Sequence, residues 1–360
     1  MTIAVLGAGA GGLSAVVELS LAHQDFILWN RRSETFAQNT PNSEIQYRGV
    51  LGEGSISLDK QITTNLKLVL SQADVLVICL PSVVHAQLFQ ELAELDCEIP
   101  IVLNPGHTGG ALHLREVFKK ARKTLPPVAE FSTLTYVARI DAEARVNITG
   151  RAKSVRVASL PGGRSALNWA KKLFPGADEV ADVIVSSLSN VNLVLHAPGA
   201  ILGAAWVEAT SGNFTFYVDA MTPGVSRVMQ ALDDERLAVA KQFGHVLPSL
   251  IDEMAAIGTV DQNAALRGDL AAAIRGGVAN AKISAPDSFR HRYYQEDLAF
   301  GLLPFVELAK LANVPVPVAN ALLLLGSTAV GGEILREGLT SKLLGLTNLS
   351  LETFIASVSN

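Results

Sequence analysis

The stretch Gly7-Ala8-Gly9-Ala10-Gly11-Gly12 decides the fold of this chain. It satisfies the spacing G-x-G-x-x-G, follows the apolar run Ile3–Leu6 and opens a segment of helical spacing from Gly12 to Ala22. A strand, a glycine turn and a helix in this order are typical of the first unit of a dinucleotide-binding Rossmann domain. The stretch therefore predicts such a unit at the start of the chain.

The glycine stretch has a specific physical function in such a unit. Gly7 permits the tight turn, Gly9 lets a pyrophosphate approach the backbone, and Gly12 lets the helix pack closely on the sheet. Ala10 and Gly11 lie at the predicted helix N-terminus, where free N–H groups and the positive end of the helix dipole favour phosphate. The alternative is a glycine-rich turn that binds nothing.

The end of the second predicted strand, Phe26–Trp29, indicates which dinucleotide binds. An NAD site would place Asp or Glu there to bind the ribose 2′-hydroxyl, but the strand ends in Asn30-Arg31-Arg32. Asn30 can bond a ribose oxygen, and two guanidiniums can bind a 2′-phosphate through charge-assisted pairs. We predict that NADP(H) is preferred over NAD(H). The alternative is that both arginines are solvated surface residues and that NAD binds, with Asn30 a weaker partner for its ribose.

Two further loops follow predicted strands. Leu80-Pro81-Ser82 ends the run Val75–Leu80, and Asn104-Pro105-Gly106 ends the run Ile101–Leu103. Ligands bind at the carboxyl ends of the strands in open α/β sheets, so we place Leu80 and Pro81 in the cofactor site. The alternative is that proline and glycine are simply good loop residues.

The pattern of apolar residues along the chain changes near Ala181. Before it, short β-branched runs alternate with helical segments, which predicts a parallel sheet, with further strands near its edge at Ile148 and Ser154–Ala158. After it, long segments have helical period. We predict an α/β protein with an N-terminal Rossmann-type parallel-sheet domain over residues 1–181 and an all-α domain over residues 182–360.

Composition excludes several classes of protein. The chain has 360 residues, 49% of them hydrophobic and 18% charged, so it has ample material for a large core. The net charge of −5 shows no basic excess, which argues against a nucleic-acid partner. Two cysteines, Cys79 and Cys97, are too few for a disulfide scaffold, and no metal-ligand spacing occurs, so no metal is predicted.

The long apolar stretches favour a buried core over a membrane. Val191–Val207 is interrupted by Asn192, His196 and Pro198, and neither it nor Leu298–Val330 offers about 20 clean apolar residues. No signal-peptide pattern leads the chain. We expect a soluble, cytoplasmic protein without a membrane partner. Ala321–Val330 is nearly uniformly apolar, and we predict a homodimer that buries it, the alternative being burial within its own domain.

Hydride chemistry on a C=O or C=N bond needs a proton donor, and histidine backed by a carboxylate suits this near neutral pH. Of seven histidines, His196 lies in an apolar helical stretch and needs a polar partner, and Asn192 lies four residues earlier on the same face. His107, in a glycine-rich loop near the nucleotide crevice, is the rival. The alternative is that His196 is a core histidine whose hydrogen bonds are made within the protein. The sequence pairs neither His196 nor His107 with a carboxylate.

Segments along most of the chain resemble the opine dehydrogenases of octopine and nopaline dehydrogenase type. They are the glycine motif, Glu130–Arg139, Gly150–Lys153, Leu160-Pro161, Phe174-Pro175, Asn192–Gly199, Asp219–Pro223, Asp233–Arg236 and Arg292–Leu302. The number of these segments and their order along the chain argue against a chance similarity.

The resemblance implies a reaction and a set of residues. Such enzymes reductively condense a 2-oxo acid with the amino group of an amino acid, using a reduced nicotinamide cofactor. The resemblance implies that His196 is the catalytic histidine, Asp297 its orienting partner and Arg292 a substrate-binding residue. We also expect Asn192 to bind substrate. A guanidinium at Arg292 can clamp a substrate carboxylate in two parallel hydrogen bonds.

Other interpretations stay open. Asp297 can be a helix N-cap, and Arg292 a solvated cation beside Arg290. Ketopantoate-reductase-like and glycerol-3-phosphate-dehydrogenase-like enzymes share the domain layout but use a lysine of the helical domain. Between about Ala181 and Asn280 the only lysine in the sequence is Lys241, in an ordinary amphipathic helix, and Lys282 follows without the expected Asn-x-x-x-Lys context. A non-catalytic NADP(H)-binding sensor would bind nucleotide without turnover.

Overall fold

The computed structural model describes residues 1–332 and 334–359. The strands, numbered along the chain, are β1 (Thr2–Leu6), β2 (Asp25–Trp29), β3 (Glu44–Gly49), β4 (Gly52–Ser57), β5 (Ile62–Thr63), β6 (Val75–Ile78), β7 (Ile101–Leu103), β8 (Val128–Phe131), β9 (Tyr136–Ile140), β10 (Arg145–Arg151), β11 (Val155–Ser159) and β12 (Ala177–Glu179).

The α-helices of the first half are α1 (Ala10–Leu21), α2 (Ser33–Asn39), α3 (Leu66–Gln72), α4 (His85–Glu94), α5 (Gly110–Ala121) and α6 (Arg164–Leu173). Those of the second half are α7 (Val183–Leu188), α8 (Val191–Leu202), α9 (Ala204–Thr210), α10 (Pro223–Gln242), α11 (Leu250–Ile257), α12 (Gln262–Leu266), α13 (Leu270–Arg275), α14 (Arg292–Asp297), α15 (Leu303–Leu311), α16 (Pro317–Ala329) and α17 (Leu351–Val358).

The main sheet has the strand order β12-β11-β8-β7-β6-β1-β2-β5 in the part of the chain that the structure describes. Its pairs are parallel except β8 with β11, which run antiparallel. The buried strands β1, β6 and β7 read as continuous apolar runs, as expected for a sheet covered on both faces. The predicted α/β class with a helical second half is confirmed.

The change from sheet to helices falls close to the predicted boundary. The last strand, β12, ends at Glu179 and α7 begins at Val183. Beyond it the described residues form helices, turns and one isolated bridge between Thr215 and Ser284. We propose the division into residues 1–181 and 182–360 on this basis.

A second sheet, of order β4-β3-β10-β9, was not predicted. The expectation that the strand at Ile148 belongs to the edge of the main sheet is wrong, because β10 pairs with β3 and β9 instead. Its side chains alternate between buried and accessible positions, which suits a sheet covered on one face. That covered face, including Ile148 and Val146, packs with Leu13 and Val17 of α1 in one apolar cluster.

Close packing at the first turn places the N-terminus of α1 against the sheet. A Cβ added at Gly12 would lie 1.8 Å from the carbonyl oxygen of Gly7, so only glycine fits without movement of the backbone. A Cβ added at Gly9 would meet nothing within 4 Å. Gly9 is the N-cap of α1, and its open side leaves the backbone N–H groups of the first turn accessible.

Glu130, at the end of the main sheet's β8, connects the sheet to the helical part. Its Oε2 accepts a hydrogen bond from the Ala111 N–H (2.7 Å), and its Oε1 accepts from Ser186 Oγ (2.8 Å) and Ser187 Oγ (3.0 Å) of α7. Burial raises the pKa of Glu130 to about 7, although these donors lower it. The side chain is fully buried, so the contact is part of the core.

The apolar stretch Val183–Leu202 is long and hydrophobic enough to span a membrane, but 89% of its apolar window is buried inside the protein. It therefore serves as a core segment, as expected from its interruptions. In α16, Leu322 and Leu323 are buried whereas Leu324 and Leu325 are 67% and 56% exposed. Only one face of this helix is covered within the chain, and the homodimer stays a prediction.

The contact between Gly12 and Gly7 yields a stability prediction. We expect Gly12→Ala to lower the free energy of unfolding by about 2 kcal/mol, because the new methyl forces the backbone of the turn to move. Gly9→Ala, the matched control, should change it by less than about 0.5 kcal/mol. Urea unfolding followed by circular dichroism measures both, and equal midpoints for the two variants would contradict the packing described.

Candidate active site

Two consecutive buried carboxylates, Glu296 and Asp297, lie at the end of α14 and organise the site. The helix begins with His291 as N-cap, whose side chain accepts a hydrogen bond from the Tyr293 N–H. A π-helical turn, Leu298–Leu302, follows directly. Consecutive helical residues point about 100° apart, so the two carboxylates reach different partners.

Asp297 is the partner of His196. Asp297 Oδ2 lies 2.8 Å from His196 Nδ1, and His196 Nε2 lies 2.7 Å from the hydroxyl of Tyr217. Both side chains are almost completely buried. The structure gives Asp297 no capping hydrogen bond, so the N-cap alternative is wrong. Nor does His196 pair with Asn192, whose side-chain amide donates to Thr133 Oγ1 instead (3.4 Å).

The contacts of His196 fix its protonation pattern. An ionised carboxylate only accepts hydrogen bonds, so Nδ1 carries the proton that is donated to Asp297. Burial raises the pKa of Tyr217 well above its usual value, so its hydroxyl stays protonated and donates to Nε2. Burial also lowers the pKa of His196, and Asp297 counteracts that effect. The imidazole therefore rests neutral with its lone pair at Nε2.

Aromatic rings hold the orientation of the imidazole. The ring of Tyr293 stacks on His196 at a centroid distance of 3.9 Å, and Phe216 meets it edge-on at 5.9 Å. His196 itself comes from α8, which begins with Asn190 as its N-cap and contains Pro198. The imidazole is thus fixed by two hydrogen bonds and two rings.

Glu296 connects α14 to the nucleotide-binding half. Its Oε1 accepts a hydrogen bond from the Ser82 N–H (2.7 Å) and lies 3.2 Å from His107 Nε2, while its Oε2 lies 3.1 Å from an Nη of Arg292. Burial alone would raise the pKa of Glu296, but Arg292, His107 and the Ser82 N–H outweigh it and hold that pKa well below its usual value. His107, the rival histidine, therefore belongs to this ion-pair cluster.

A cavity opens beside His196, between α8, α14 and the second sheet. Its wall includes the predicted substrate-binding residues Arg292 and Asn192, together with Thr133 and Arg139. The side chain of Arg292 is 42% exposed, so its guanidinium reaches the cavity as well as Glu296. The structure thus brings His196, Asn192 and Arg292 to one cavity, with Asp297 behind the histidine.

A second cavity, of about 190 Å³, lies at the carboxyl ends of β2 and β6. Its wall contains Asn30, Arg31, Arg32, Leu80 and Pro81, so the structure brings these predicted cofactor-binding residues together.

Asn30 and Arg31, both expected to bind the cofactor, already have polar partners within the protein. Asn30 Oδ1 accepts a hydrogen bond from the Ala8 N–H (3.2 Å), and its Nδ2 donates to the Arg32 carbonyl (3.0 Å), so Asn30 already bonds backbone groups at both ends. Arg31 donates to Gln87 of α4. Glu91 of α4 also lines the cavity and brings a carboxylate that the strand-end argument missed.

Sequence reasoning missed three groups that touch the site. Tyr217 lies two residues before a segment used for the family resemblance, Arg139 ends another such segment, and Glu296 immediately precedes Asp297. The spacing of Arg292 and Glu296 at i and i+4 on one helix is a signal that could have revealed the ion pair.

Comparison with known proteins gives a consistent result. The family described as NAD/NADP octopine/nopaline dehydrogenase, alpha-helical domain, matches residues 179–330. An opine dehydrogenase of Arthrobacter sp. (strain 1C) is 30% identical over 357 residues, which cover 97% of this chain and 96% of that protein.

Solved structures share the fold at low sequence identity. The structure of octopine dehydrogenase in complex with NADH and agmatine has a TM-score of 0.76 at 17% identity and covers 99% of this chain and 98% of that one. NADP+-bound yersinopine dehydrogenase has a TM-score of 0.67 at 16% identity, with 99% and 97% covered.

The cluster around Glu296 predicts a pH-dependent contribution to stability. The pKa of Glu296 is lower in the folded state than the ordinary value of 4.5. The carboxylate therefore stabilises the fold fully above about pH 4.5, and that contribution is lost as the pH falls through the folded-state pKa. We expect Glu296→Gln to lower the free energy of unfolding by about 3 kcal/mol at pH 7, with a smaller difference at pH 4.

The exposed Glu143, whose side chain is 75% accessible, provides the matched control. Glu143→Gln should change stability by less than about 1 kcal/mol, because exposed ion pairs contribute little. Urea unfolding at both pH values compares the two variants with the wild type. A Glu296→Gln effect that is the same at pH 4 and pH 7 would contradict the assignment.

Proposed function

The chain belongs to the opine dehydrogenase family of octopine/nopaline type, and we propose that it condenses a 2-oxo acid with the amino group of an amino acid, using NAD(P)H as reductant. The observation that carries this proposal is the contact of 2.8 Å between His196 Nδ1 and Asp297 Oδ2, beside a cavity that Arg292 also lines. It supplies an acid–base group and a carboxylate-binding group at one place.

His196 is proposed to move the protons of the condensation. Its neutral Nε2 takes a proton from the ammonium of the amino acid, which frees the nitrogen lone pair that attacks the carbonyl carbon, and the imidazolium that results is stabilised by Asp297. The imidazolium returns a proton when water leaves or when the amine forms. For Nε2 to meet the substrate, the hydroxyl of Tyr217 must leave it, because that hydroxyl now lies 2.7 Å away.

Arg292 is proposed to bind the carboxylate of the 2-oxo acid. Its guanidinium faces the cavity and is held from behind by Glu296, which reduces the side-chain freedom lost on binding. Asn192 lies on the same wall, and its bond to Thr133 connects α8 to the segment before β9. Positioning of this kind removes much of the barrier of a reaction between two substrates.

The residues of the glycine loop fit a dinucleotide. The open side of Gly9 and the free N–H groups of the first turn of α1 suit a pyrophosphate, and the cavity lined by Trp29, Leu80 and Pro81 suits an adenosine. When bound, a reduced nicotinamide supplies the hydride of the reaction. We propose that Arg31 and Arg32 favour NADP(H), with Glu91 as the one carboxylate among the described residues of that cavity wall.

The lysine-dependent alternative has less support. Among the described residues that line the cavity at His196, none is a lysine, so the ketopantoate-reductase-like and glycerol-3-phosphate-dehydrogenase-like chemistry lacks its proton donor there. The non-catalytic sensor predicts nucleotide binding without turnover, and an activity assay separates it from the proposed enzyme.

The direct test is oxidation of NADPH or NADH, followed by absorbance, with panels of 2-oxo acids and amino acids. We expect oxidation only when both an oxo acid and an amino acid are present, because the imine forms from the two together. Oxidation with an oxo acid alone would indicate a simple 2-oxo-acid reductase instead. Nucleotide binding without oxidation across the panel would favour the sensor.

Variants of the His196–Asp297 pair test the proton transfer. We expect His196→Gln and Asp297→Asn each to lower kcat by at least about 100-fold, while nucleotide affinity stays unchanged. In Asp297→Asn the remaining rate should depend on a lower pKa than in the wild type, because Asp297 raises the pKa of His196 against burial. A pH profile that does not move to lower pH would contradict this role.

Replacement of the two arginines tests the cofactor preference. We expect Arg31→Gln combined with Arg32→Gln to raise the KM for NADPH by about 10-fold or more, because charge-assisted bonds to a 2′-phosphate contribute about 1.5–3 kcal/mol. The KM for NADH, which lacks that phosphate, is the internal control and should change little. A wild-type enzyme that uses NADH better than NADPH would contradict the proposal.

A further inference from the structure

We propose that Tyr217 is a further catalytic residue, whose hydroxyl donates a hydrogen bond to the carbonyl oxygen of the 2-oxo acid and keeps that oxygen in place until it leaves as water. This inference rests on the proposed function and adds one group to its chemistry. It depends on the position of the Tyr217 hydroxyl, on the hydrogen-bond acceptors available to it when substrate is bound, and on the steps of the condensation.

The Tyr217 hydroxyl lies where the reaction is proposed to occur. Tyr217 lines the cavity at His196 together with Arg292. Its hydroxyl lies 2.7 Å from His196 Nε2, the atom that is proposed to move protons. The residue is only 6% exposed, so the hydroxyl is largely removed from bulk water. A substrate atom that exchanges a proton with Nε2 must therefore approach the place that this hydroxyl now occupies.

The backbone that carries Tyr217 is held on both sides. The turn between α9 and α10 is closed by Asp219, whose Oδ2 accepts hydrogen bonds from the N–H (2.8 Å) and the hydroxyl (2.7 Å) of Thr215. The N–H of Phe216 donates to the Ile283 carbonyl (2.9 Å), and the Phe216 ring meets the Tyr217 ring edge-on at a centroid distance of 5.3 Å. The phenol ring thus has a fixed base, which suits a group that meets a substrate in one orientation.

A buried hydroxyl needs an acceptor for its proton. In the described part of the chain, the Tyr217 hydroxyl has two hydrogen-bonding neighbours, His196 Nε2 at 2.7 Å and the Tyr293 hydroxyl at 3.4 Å. The second distance is longer than the about 2.5–3.0 Å of a normal O–H···O bond. Once Nε2 has taken a proton from the substrate it no longer accepts, so the hydroxyl lacks a good acceptor unless the substrate supplies one.

The 2-oxo acid supplies such an acceptor. Its carbonyl carbon is bonded directly to the carboxylate that is assigned to Arg292, so its carbonyl oxygen stays close to that guanidinium. Arg292 is followed on α14 by Tyr293, whose hydroxyl is the 3.4 Å neighbour of the Tyr217 hydroxyl. With the carboxylate on Arg292 and the carbonyl oxygen on Tyr217, the carbonyl carbon lies beside His196, where the amine attacks.

The hydrogen bond becomes stronger as the condensation proceeds. The nitrogen lone pair of the amine forms the C–N bond while the π pair of the carbonyl moves onto the oxygen, which becomes negatively charged. Tyr217 donates to this oxygen and keeps its own proton, since burial holds the pKa of Tyr217 well above its usual value. The oxygen leaves as water with one proton from the His196 imidazolium and one from the nitrogen, and an iminium ion remains.

The direct test is Tyr217→Phe, which removes the hydroxyl alone, with Tyr294→Phe as the matched control. Tyr294 is also buried and its hydroxyl donates to the Ala200 carbonyl (2.7 Å), but it is not among the described residues that line the cavity. With the most active pair of 2-oxo acid and amino acid, we expect Tyr217→Phe to lower kcat by about 100-fold, as for the loss of one donor to an oxyanion. Tyr294→Phe should leave kcat unchanged.

A deuterium isotope effect identifies the step that is slowed. The rates with NADPH or NADH are compared with those of the same cofactor carrying deuterium at both C4 positions. In Tyr217→Phe we expect the isotope effect on kcat/KM for the 2-oxo acid to be no larger than in the wild type and close to 1. The reason is that amine attack and loss of water then limit the rate. A larger isotope effect would show that the hydroxyl assists hydride transfer instead, and would overturn the proposal.

Two inhibitors test the contact with the carbonyl oxygen. Oxamate has a carboxylate and a carbonyl oxygen arranged as in pyruvate, whereas propanoate has the carboxylate without that oxygen. From inhibition constants against the 2-oxo acid, the wild type should prefer oxamate to propanoate, and Tyr217→Phe should reduce that preference by about 5-fold through the loss of one hydrogen bond. A purely structural role would weaken both inhibitors alike. An unchanged preference in a variant whose folding is checked by circular dichroism would overturn the role of Tyr217.

The inference and the proposed function fail on different results. If the wild type oxidises neither cofactor with any pair of 2-oxo acid and amino acid, the proposed function fails and the inference fails with it. If oxidation requires both substrates but Tyr217→Phe keeps the kcat of the wild type, the proposed function stands and the inference is overturned.

Discussion

The contacts of two adjacent buried carboxylates, Glu296 and Asp297, connect the two halves of this molecule. Because the residues are consecutive on α14, their side chains diverge, and one short helix reaches both halves. Glu296 contacts Ser82 and His107 in the nucleotide-binding part, whereas Asp297 contacts His196 in the helical part. The position of His196 is thereby tied to the position of the strand-end loop, within an interior that is otherwise largely apolar.

Burial makes these contacts mutually dependent. A carboxylate out of water is tolerated only when cations or hydrogen-bond donors surround it. Glu296 has Arg292 and His107, and Asp297 has His196, so the loss of any one partner leaves an uncompensated charge in the core. The result is a small polar network that keeps one arrangement of its side chains.

The sequence predicts this structure best where neighbours along the chain determine it. The glycine turn, the apolar strands and the change to helices near residue 181 depend on local patterns. The contact of His196 with Asp297, 101 residues later, was indicated only by family resemblance, because no periodicity pairs a histidine with a distant carboxylate. For the same reason, no local pattern in the sequence places Tyr217 or Arg139 at the site. The second sheet was missed because β3 and β4 are partly exposed strands rich in glycine and polar residues.

The cavity wall at Met254, Ile257 and Ile283 belongs to different elements from those that carry the charges. These apolar residues come from α11 and a loop, whereas His196 and Asp297 come from α8 and α14. Substitutions at these three residues change the shape of the cavity at positions that make no side-chain contact with the carboxylates of Glu296 and Asp297. The shape of the proposed substrate cavity can therefore differ between related proteins while the pair of His196 and Asp297 keeps its geometry.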